Sequence, residues 1–233
     1  MVSSILKRGL LIAVEGMDGS GKSTFTQMLA QEMFAAGAVV KTTLEVGGTA
    51  IGQKLRTIAF NSHTEKLEPS ARLLMVIAAR IQHIEQIIKP RLYHGIDVIT
   101  DRYNMSTLVY QGYMDEQLEL YSQLNCPLLK NAFVAPDVVV YLDITPEEAT
   151  SRRLARARED NTTYKQNLDM ALKISGFYSK AMADLEADPG DVKLICRLDA
   201  NCAFSTMQEN AKQVAKEIIS KRNYLVGTAM KYT

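Results

Sequence analysis

The chain has 233 residues, is 47% apolar and carries 27 basic against 26 acidic side chains, a formal charge of +1. That length and apolar content suit one sizeable domain over residues 1–233 better than two small ones. A charge so near balance gives no global reason to expect nucleic acid or an acidic membrane as partner, so any anion site must be local. Cys126, Cys196 and Cys202 are scattered, odd in number and form no Cys-x-x-Cys pair, which argues against a disulfide framework or a zinc site and leaves reduced packing residues.

In chain order, MVSSILKRGLLIAVEG begins with a basic start and a short apolar run. The run stops at Glu15 and a glycine-rich loop, with no small-residue cleavage site, so it reads as a first strand over 9–15 rather than a signal peptide. Further strands are predicted at 38–44, 96–100, 137–143 and 191–198, several of them nearly continuous in Val, Ile and Leu, as strands covered on both faces require. The segments between them alternate helical patterns with strands, which predicts parallel strands joined by crossover helices. One helix runs from 22 to 36 before Gly37, and a long one from 70 to 94 before Gly95. Leu73, Leu74, Ile77, Ile81, Ile84 and Ile88 on the long helix follow helical spacing and read as core. Residues 104–131 read as one or two helices, 146–158 as another opening at Thr145-Pro146, and about 165–187 as one ended by Asp188-Pro189-Gly190-Asp191. A last helix covers about 203–222, and the tail NYLVGTAMKYT reads as irregular or surface-packed. No run approaches the ~18 apolar residues that cross a bilayer, so the expectation is a soluble, cytoplasmic chain with no membrane partner.

GMDGSGKST, residues 16–24, satisfies G-x-x-x-x-G-K-[ST] between a strand and a helix, the context this phosphate loop needs. Gly16, Met17, Asp18, Gly19, Ser20 and Gly21 supply backbone N–H groups, and Lys22, Ser23 and Thr24 open the helix whose N-terminus favours anions. Lys22 neutralises the outer phosphates of a bound nucleotide, and Ser23 with Asp101 suits hydrated Mg²⁺. A GTP switch would also show Asn-Lys-x-Asp and Asp-x-x-Gly segments, and neither stands in a suitable place. A small phosphotransferase remains. The strand 96–100 ends at Asp101-Arg102, where an arginine fork can grip a phosphate.

With these residues in place the chain resembles the thymidylate kinase family. The resemblance runs through EGMDGSGKST, EVGGTAIGQKLR (45–56), LLMVIAARIQHIEQIIKP (73–90), DRYNMSTLVYQG (101–112), PDVVVYLDITPEEA (136–149) and RRLARARE (152–159). It implies an α/β, three-layer P-loop kinase fold with a five-stranded parallel sheet flanked by helices. It also implies the reaction ATP + dTMP giving ADP + dTDP, with Mg²⁺, and a homodimer packed through helices such as 70–94. Site roles carry over as expectations. Asp18 lies near the acceptor's 3′-hydroxyl and reacting phosphate, Arg102 grips the acceptor phosphate and Arg80 hydrogen-bonds the pyrimidine. Ser106 and Thr107 contact the base edge, Tyr110 lies against the sugar, and Gln111 belongs to the same segment. Ser106 and Tyr110, four apart, share a face if the segment is an α-helix. Competing readings are a solvated helix arginine for Arg80 and a core tyrosine for Tyr110. Since the loop contains no Arg, the lid, about 152–165, is expected to carry the catalytic arginines. Arg153 and Arg156 are favoured over Arg158, because positions three apart face inward together.

Four departures bear on the acceptor. Val76 stands where the family carries a base-stacking Phe, a loss of ~1–3 kcal/mol. Leu44 and Val46 replace an Arg and a Pro around Glu45, with Arg56 or Lys54 as the available substitutes. Asn161-Thr162 replaces an acidic-Arg pair in the lid, and Thr107-Leu108 lacks a Gln. Besides dTMP, an acceptor such as dUMP or a 5-substituted dUMP therefore stays open, as does a catalytically poor relative.

Overall fold

The computed structural model describes residues 8–61, 65–124, 134–157 and 161–226. Within them the chain runs β1 (Leu11–Gly16), α1 (Lys22–Ala35), β2 (Val40–Leu44), α2 (Ala50–Phe60), α3 (Pro69–His83), a π-helical turn (Ile84–Ile88) and α4 (Lys89–Tyr93). It continues with β3 (Asp97–Asp101), α5 (Asn104–Thr107), a second π-helical segment (Leu108–Met114), α6 (Leu118–Leu124), β4 (Val138–Asp143) and α7 (Pro146–Ala157). The remaining elements are α8 (Asn161–Ala187), β5 (Leu194–Asp199), α9 (Phe204–Ser220) and α10 (Arg222–Val226).

All five strands pair in parallel in the order β2-β3-β1-β4-β5. β1, β3 and β4 are buried almost throughout, which is why their sequences are continuous rather than alternating in apolar residues. One core cluster joins Ile12, Val14, Val138 and Val140 to Phe25, Leu29, Met33, Ile218 and Tyr178, and a second joins Leu11, Ala13 and Val98 to Ile84, Ile88 and Leu92. The N-terminal ends of the central strands are clamped. The Asp97 carboxylate accepts from Leu10 N–H (2.8 Å) and from both Arg222 Nη atoms, and Asp137 accepts from Leu11 N–H and from Arg8. The opposite, C-terminal edge is left for ligands, and the phosphate loop leaves β1 where the strand order reverses.

The structure departs from the sequence reading at several points. The helix expected over 70–94 is interrupted at Ile84–Ile88, where Lys89 N–H bonds Ile84 O in i→i−5 register. Pro90 has no N–H to give Gln86, and the register widens on the turn before it. Leu74, read as core, is 48% exposed, because α3 turns Leu73, Val76, Ile77 and Arg80 inward instead. α2 was not foreseen; its Thr49 N-cap accepts from Gly52 N–H at 2.9 Å. The tail is not irregular at its start, since α10 buries Leu225 and Val226. Residues 227–233 and Cys126 lie outside the described residues; Cys196 and Cys202 are free thiols. Among the described residues no helix is long and apolar enough to cross a membrane.

Candidate active site

The phosphate loop turns back over the edge of the sheet from the end of β1. Gly19 has φ 94 and its α-carbon faces Ala149 O so closely that a Cβ would collide with backbone, so the loop can be drawn against α7 only through a glycine. Lys22, 6% exposed, donates to Met17 O at 2.6 Å. Burial, and next the Arg102 charge, push its ammonium from 10.5 down to about 8. Ser23 Oγ donates to Asp101 Oδ2 at 2.5 Å, so the hydroxyl and the carboxylate meet as the sequence reading expected for a Mg²⁺ site. An oxygen-only pair suits Mg²⁺, which takes few protein ligands and completes its shell with water and phosphate. No group of three or more His, Cys, Asp or Glu that could hold a metal occurs among the described residues.

Register brings Asp101 beside the loop: it pairs with Val14 on β1 and with Leu44 on β2. The next residue, Arg102, has φ 70, an uncommon conformation for a non-glycine residue and a mark of stored strain, on the order of 1–3 kcal/mol. The strained backbone aims the guanidinium back across β1. It donates to Asp18 Oδ1 (2.5 Å), Ser106 Oγ (2.9 Å), Tyr178 OH (3.1 Å) and Gly16 O (3.2 Å). Burial alone raises the Asp18 carboxyl, but the charges of Arg102 and Lys22, with a smaller share from Arg153, hold it below its ordinary value.

Behind Arg102 lies a support that the sequence reading missed. Glu15, at the end of β1, accepts from Tyr103 N–H (2.8 Å) and from Ser106 Oγ (2.5 Å) and N–H (3.2 Å). Burial pushes its carboxyl up, only partly offset by Ser106 and Arg102. Tyr178 on α8 shares its hydroxyl between Arg102 and Ser106. An acidic residue in the last turn of an otherwise apolar strand was the available signal for Glu15; nothing local marks Tyr178.

Arg80 is buried, which overturns the solvated reading. Its Nε donates to Glu45 Oε2 (2.5 Å), Nη1 to Asn104 Oδ1 (3.0 Å), and Nη2 to Tyr103 O (3.1 Å) and Thr107 Oγ1 (2.6 Å). Glu45 is held in turn by His83 Nδ1 (3.0 Å), whose Nε2 meets Thr43 Oγ1 (2.8 Å). Gly48 lies against the His83 ring with no room for a Cβ, and Gly47 before it has φ 126, so each glycine of EVGGT has its own reason. Arg56 Nη1 donates to Val46 O at 2.7 Å.

Two cavities open on these groups. One, of about 340 Å³, is lined by Gly19, Gly21, Lys22, Ser23, Thr24 and Asp101. The other, of about 310 Å³, is lined by Val76, Arg80, Ser106, Thr107, Tyr110 and Gln111 together with Tyr103 and Phe60. Asp18, Glu45, Arg56 and Arg102 line both. Ser106 and Tyr110 thus reach one cavity, though the π segment that begins at Leu108 replaces the regular helix expected there. Tyr110 is half-buried, packs on the main core and also lines the cavity, so it has the core contacts of one reading and the cavity position that the other requires. Of the arginines expected to form a lid, Arg153 borders a small cleft with Asp18, Tyr110 and Met170. Arg152 is tied down by Glu148 at 2.7 Å. Arg158 and the side chains of Arg156, Asn161 and Thr162 lie outside the described residues. A further crevice at the ends of β4 and β5, with Thr145, Arg197 and Asn201, was not foreseen.

Comparison with known proteins decides the family. The family model for thymidylate kinase matches residues 14–188. The chain belongs to the thymidylate kinase family. It is 35% identical to the thymidylate kinase of Legionella pneumophila strain Corby over 215 residues, 91% of this chain and 96% of that one. It is 36% identical to the enzyme of Pelotomaculum thermopropionicum over 172 residues, 73% of this chain and 79% of that one, and 35% identical to that of Chlorobaculum parvum over 193 residues, 80% and 87% respectively. The thymidylate kinase family is one of ATP-dependent phosphotransferases, and the described sheet is the five-stranded parallel sheet expected for it.

Proposed function

We propose that this chain transfers the γ-phosphate of ATP to dTMP, giving dTDP and ADP. The observation that carries the reading is that Asp18, Glu45, Arg56 and Arg102 line both the phosphate-loop cavity and the adjoining polar-and-aromatic cavity, so one set of charges faces donor and acceptor together. Phosphoryl transfer needs alignment and charge stabilisation more than covalent help. Lys22 and the loop amides hold the β- and γ-phosphates, and Arg102 orients the acceptor phosphate so that its oxygen attacks phosphorus as ADP departs. Asp18 keeps Arg102 in register and meets the acceptor sugar, while Arg80, braced by Glu45, presents its remaining Nη1 N–H to the pyrimidine. Arg153, already beside Asp18, closes over the transferring group, with Arg156 three residues on. Arg56 stands in for the arginine missing at Leu44. Ser23 and Asp101 hold Mg²⁺, which when bound neutralises phosphate charge, and the β4–β5 crevice takes the ATP base.

A coupled ADP-release assay across nucleoside monophosphates tests this. dTMP is expected to give the highest kcat/KM, ahead of dUMP and 5-substituted dUMP; the relatives' activity gives no reason to favour those alternatives. Turnover of another monophosphate with dTMP inert would overturn the reading.

The reading also places the protein in the cytoplasm, as one kinase domain acting as a homodimer. Leu74 on α3 and Ile51 on α2, a helix that packs on α3, are both exposed apolar side chains, and a second copy is proposed to cover them. Sedimentation is expected to show twice the chain mass, and Leu74→Glu to reduce it to one; a monomer at tens of micromolar in the unmodified protein would end the dimer proposal.

A further inference from the structure

Three aromatic rings among the described residues line the acceptor cavity, and two of them are already covered. The Arg80 guanidinium carbon lies 5.1 Å from the Tyr103 ring centre, and that of Arg102 lies 5.3 Å from the Tyr110 ring. Tyr110 also meets Tyr178 edge-on at 6.3 Å. The third ring is Phe60, the last residue of α2, and it is 50% exposed although it faces a cavity. Arg56, one turn earlier on α2, approaches it only to 6.0 Å, at the limit of cation–π attraction, while bonding Val46 O. Val76 on α3 closes the wall beside Arg80, is 1% exposed, and offers no π face.

A half-bare phenyl ring in a cavity also lined by an arginine and a threonine has the makings of a stacking platform. We infer that Phe60 is the ring on which the acceptor base stacks, so that in this chain the aromatic contact comes from α2 and not from the position of Val76 on α3. The inference rests on the acceptor reading of this cavity. It makes α2 a recognition element in two respects, since Arg56 on the same face borders the phosphate site. It also supplies the aromatic face that the sequence reading found lost at Val76.

The chain contains no Trp, so Phe60→Trp places a single indole in the cavity. Its emission is expected to be quenched by dTMP, with a midpoint near the dTMP KM, and to be unmoved by ATP alone. Phe60→Ala is expected to raise the dTMP KM roughly tenfold to hundredfold, with kcat at saturating dTMP falling far less and the ATP KM unaltered. The double variant Phe60→Ala with Val76→Phe is expected to recover part of that KM, because a ring returns to the same cavity from α3. A dTMP KM within twofold of the unmodified value in Phe60→Ala, with a silent indole in Phe60→Trp, would overturn the inference while leaving dTMP kinase activity standing. Failure of the unmodified protein to use dTMP would instead remove the acceptor reading itself.

Discussion

Arg102→Ala is expected to lower dTMP phosphorylation at saturating substrates by about three decades while the protein stays folded. A positioned cation on a transferring phosphoryl group contributes two to five decades; Arg102 and Arg56 both line the two cavities, and Arg102 also contacts the loop through Asp18 and Gly16. The support behind it survives its removal. Ser106 and Tyr178 remain hydrogen-bonded to one another at 3.0 Å, Glu15 keeps its bonds from Ser106 and Tyr103, and Asp18, 63% exposed at its side chain, rehydrates. Arg102→Gly separates strain from function, because φ 70 disfavours any L side chain, by on the order of 1–3 kcal/mol, but not glycine. The glycine variant is expected to melt above the alanine variant and to be equally inactive. Turnover close to the unmodified level in either would sink the role assigned to Arg102.

Lys22→Ala is expected to cost a similar two to three decades in kcat, and Lys22 also makes a pH signature. Its ammonium titrates near 8 in the free protein because burial and Arg102 disfavour its charge. Phosphates that enter the loop favour the charged form, so nucleotide binding raises this pKa. ATP affinity is therefore expected to fall as pH rises through about 8, with binding above that pH taking up a proton. Calorimetry in two buffers of different ionisation enthalpy measures the uptake, and Lys22→Ala should abolish it. Affinity that stays constant from pH 7.5 to 9.5 would contradict the picture.

The donor half of the site was legible locally. A phosphate loop is contiguous, and its strand and helix neighbours can be read from the same stretch, so Gly16 to Thr24 needed no tertiary information. The acceptor half was reached through resemblance, and there the reading was weakest wherever partners come from distant segments. Arg80 illustrates this: on a helix wheel it is an arginine, while in the fold Glu45, Asn104, Tyr103 and Thr107 surround it. Leu74 shows the converse, since spacing marks an apolar stripe without saying which of its members α3 turns outward.

The sequence by itself determined the five strands, their parallel order of connection, the phosphate loop with Lys22, and the Asp101-Arg102 pair, because strand burial and loop geometry are written in contiguous residues. Only the tertiary structure decided what stands around them. It set Glu15 and Tyr178 behind Arg102, Glu45 and His83 behind Arg80, and brought Phe60 from α2 to the cavity that Val76 of α3 also lines. Those contacts join segments tens of residues apart, and their partners are chosen by how strands register and helices pack, a choice no local pattern carries.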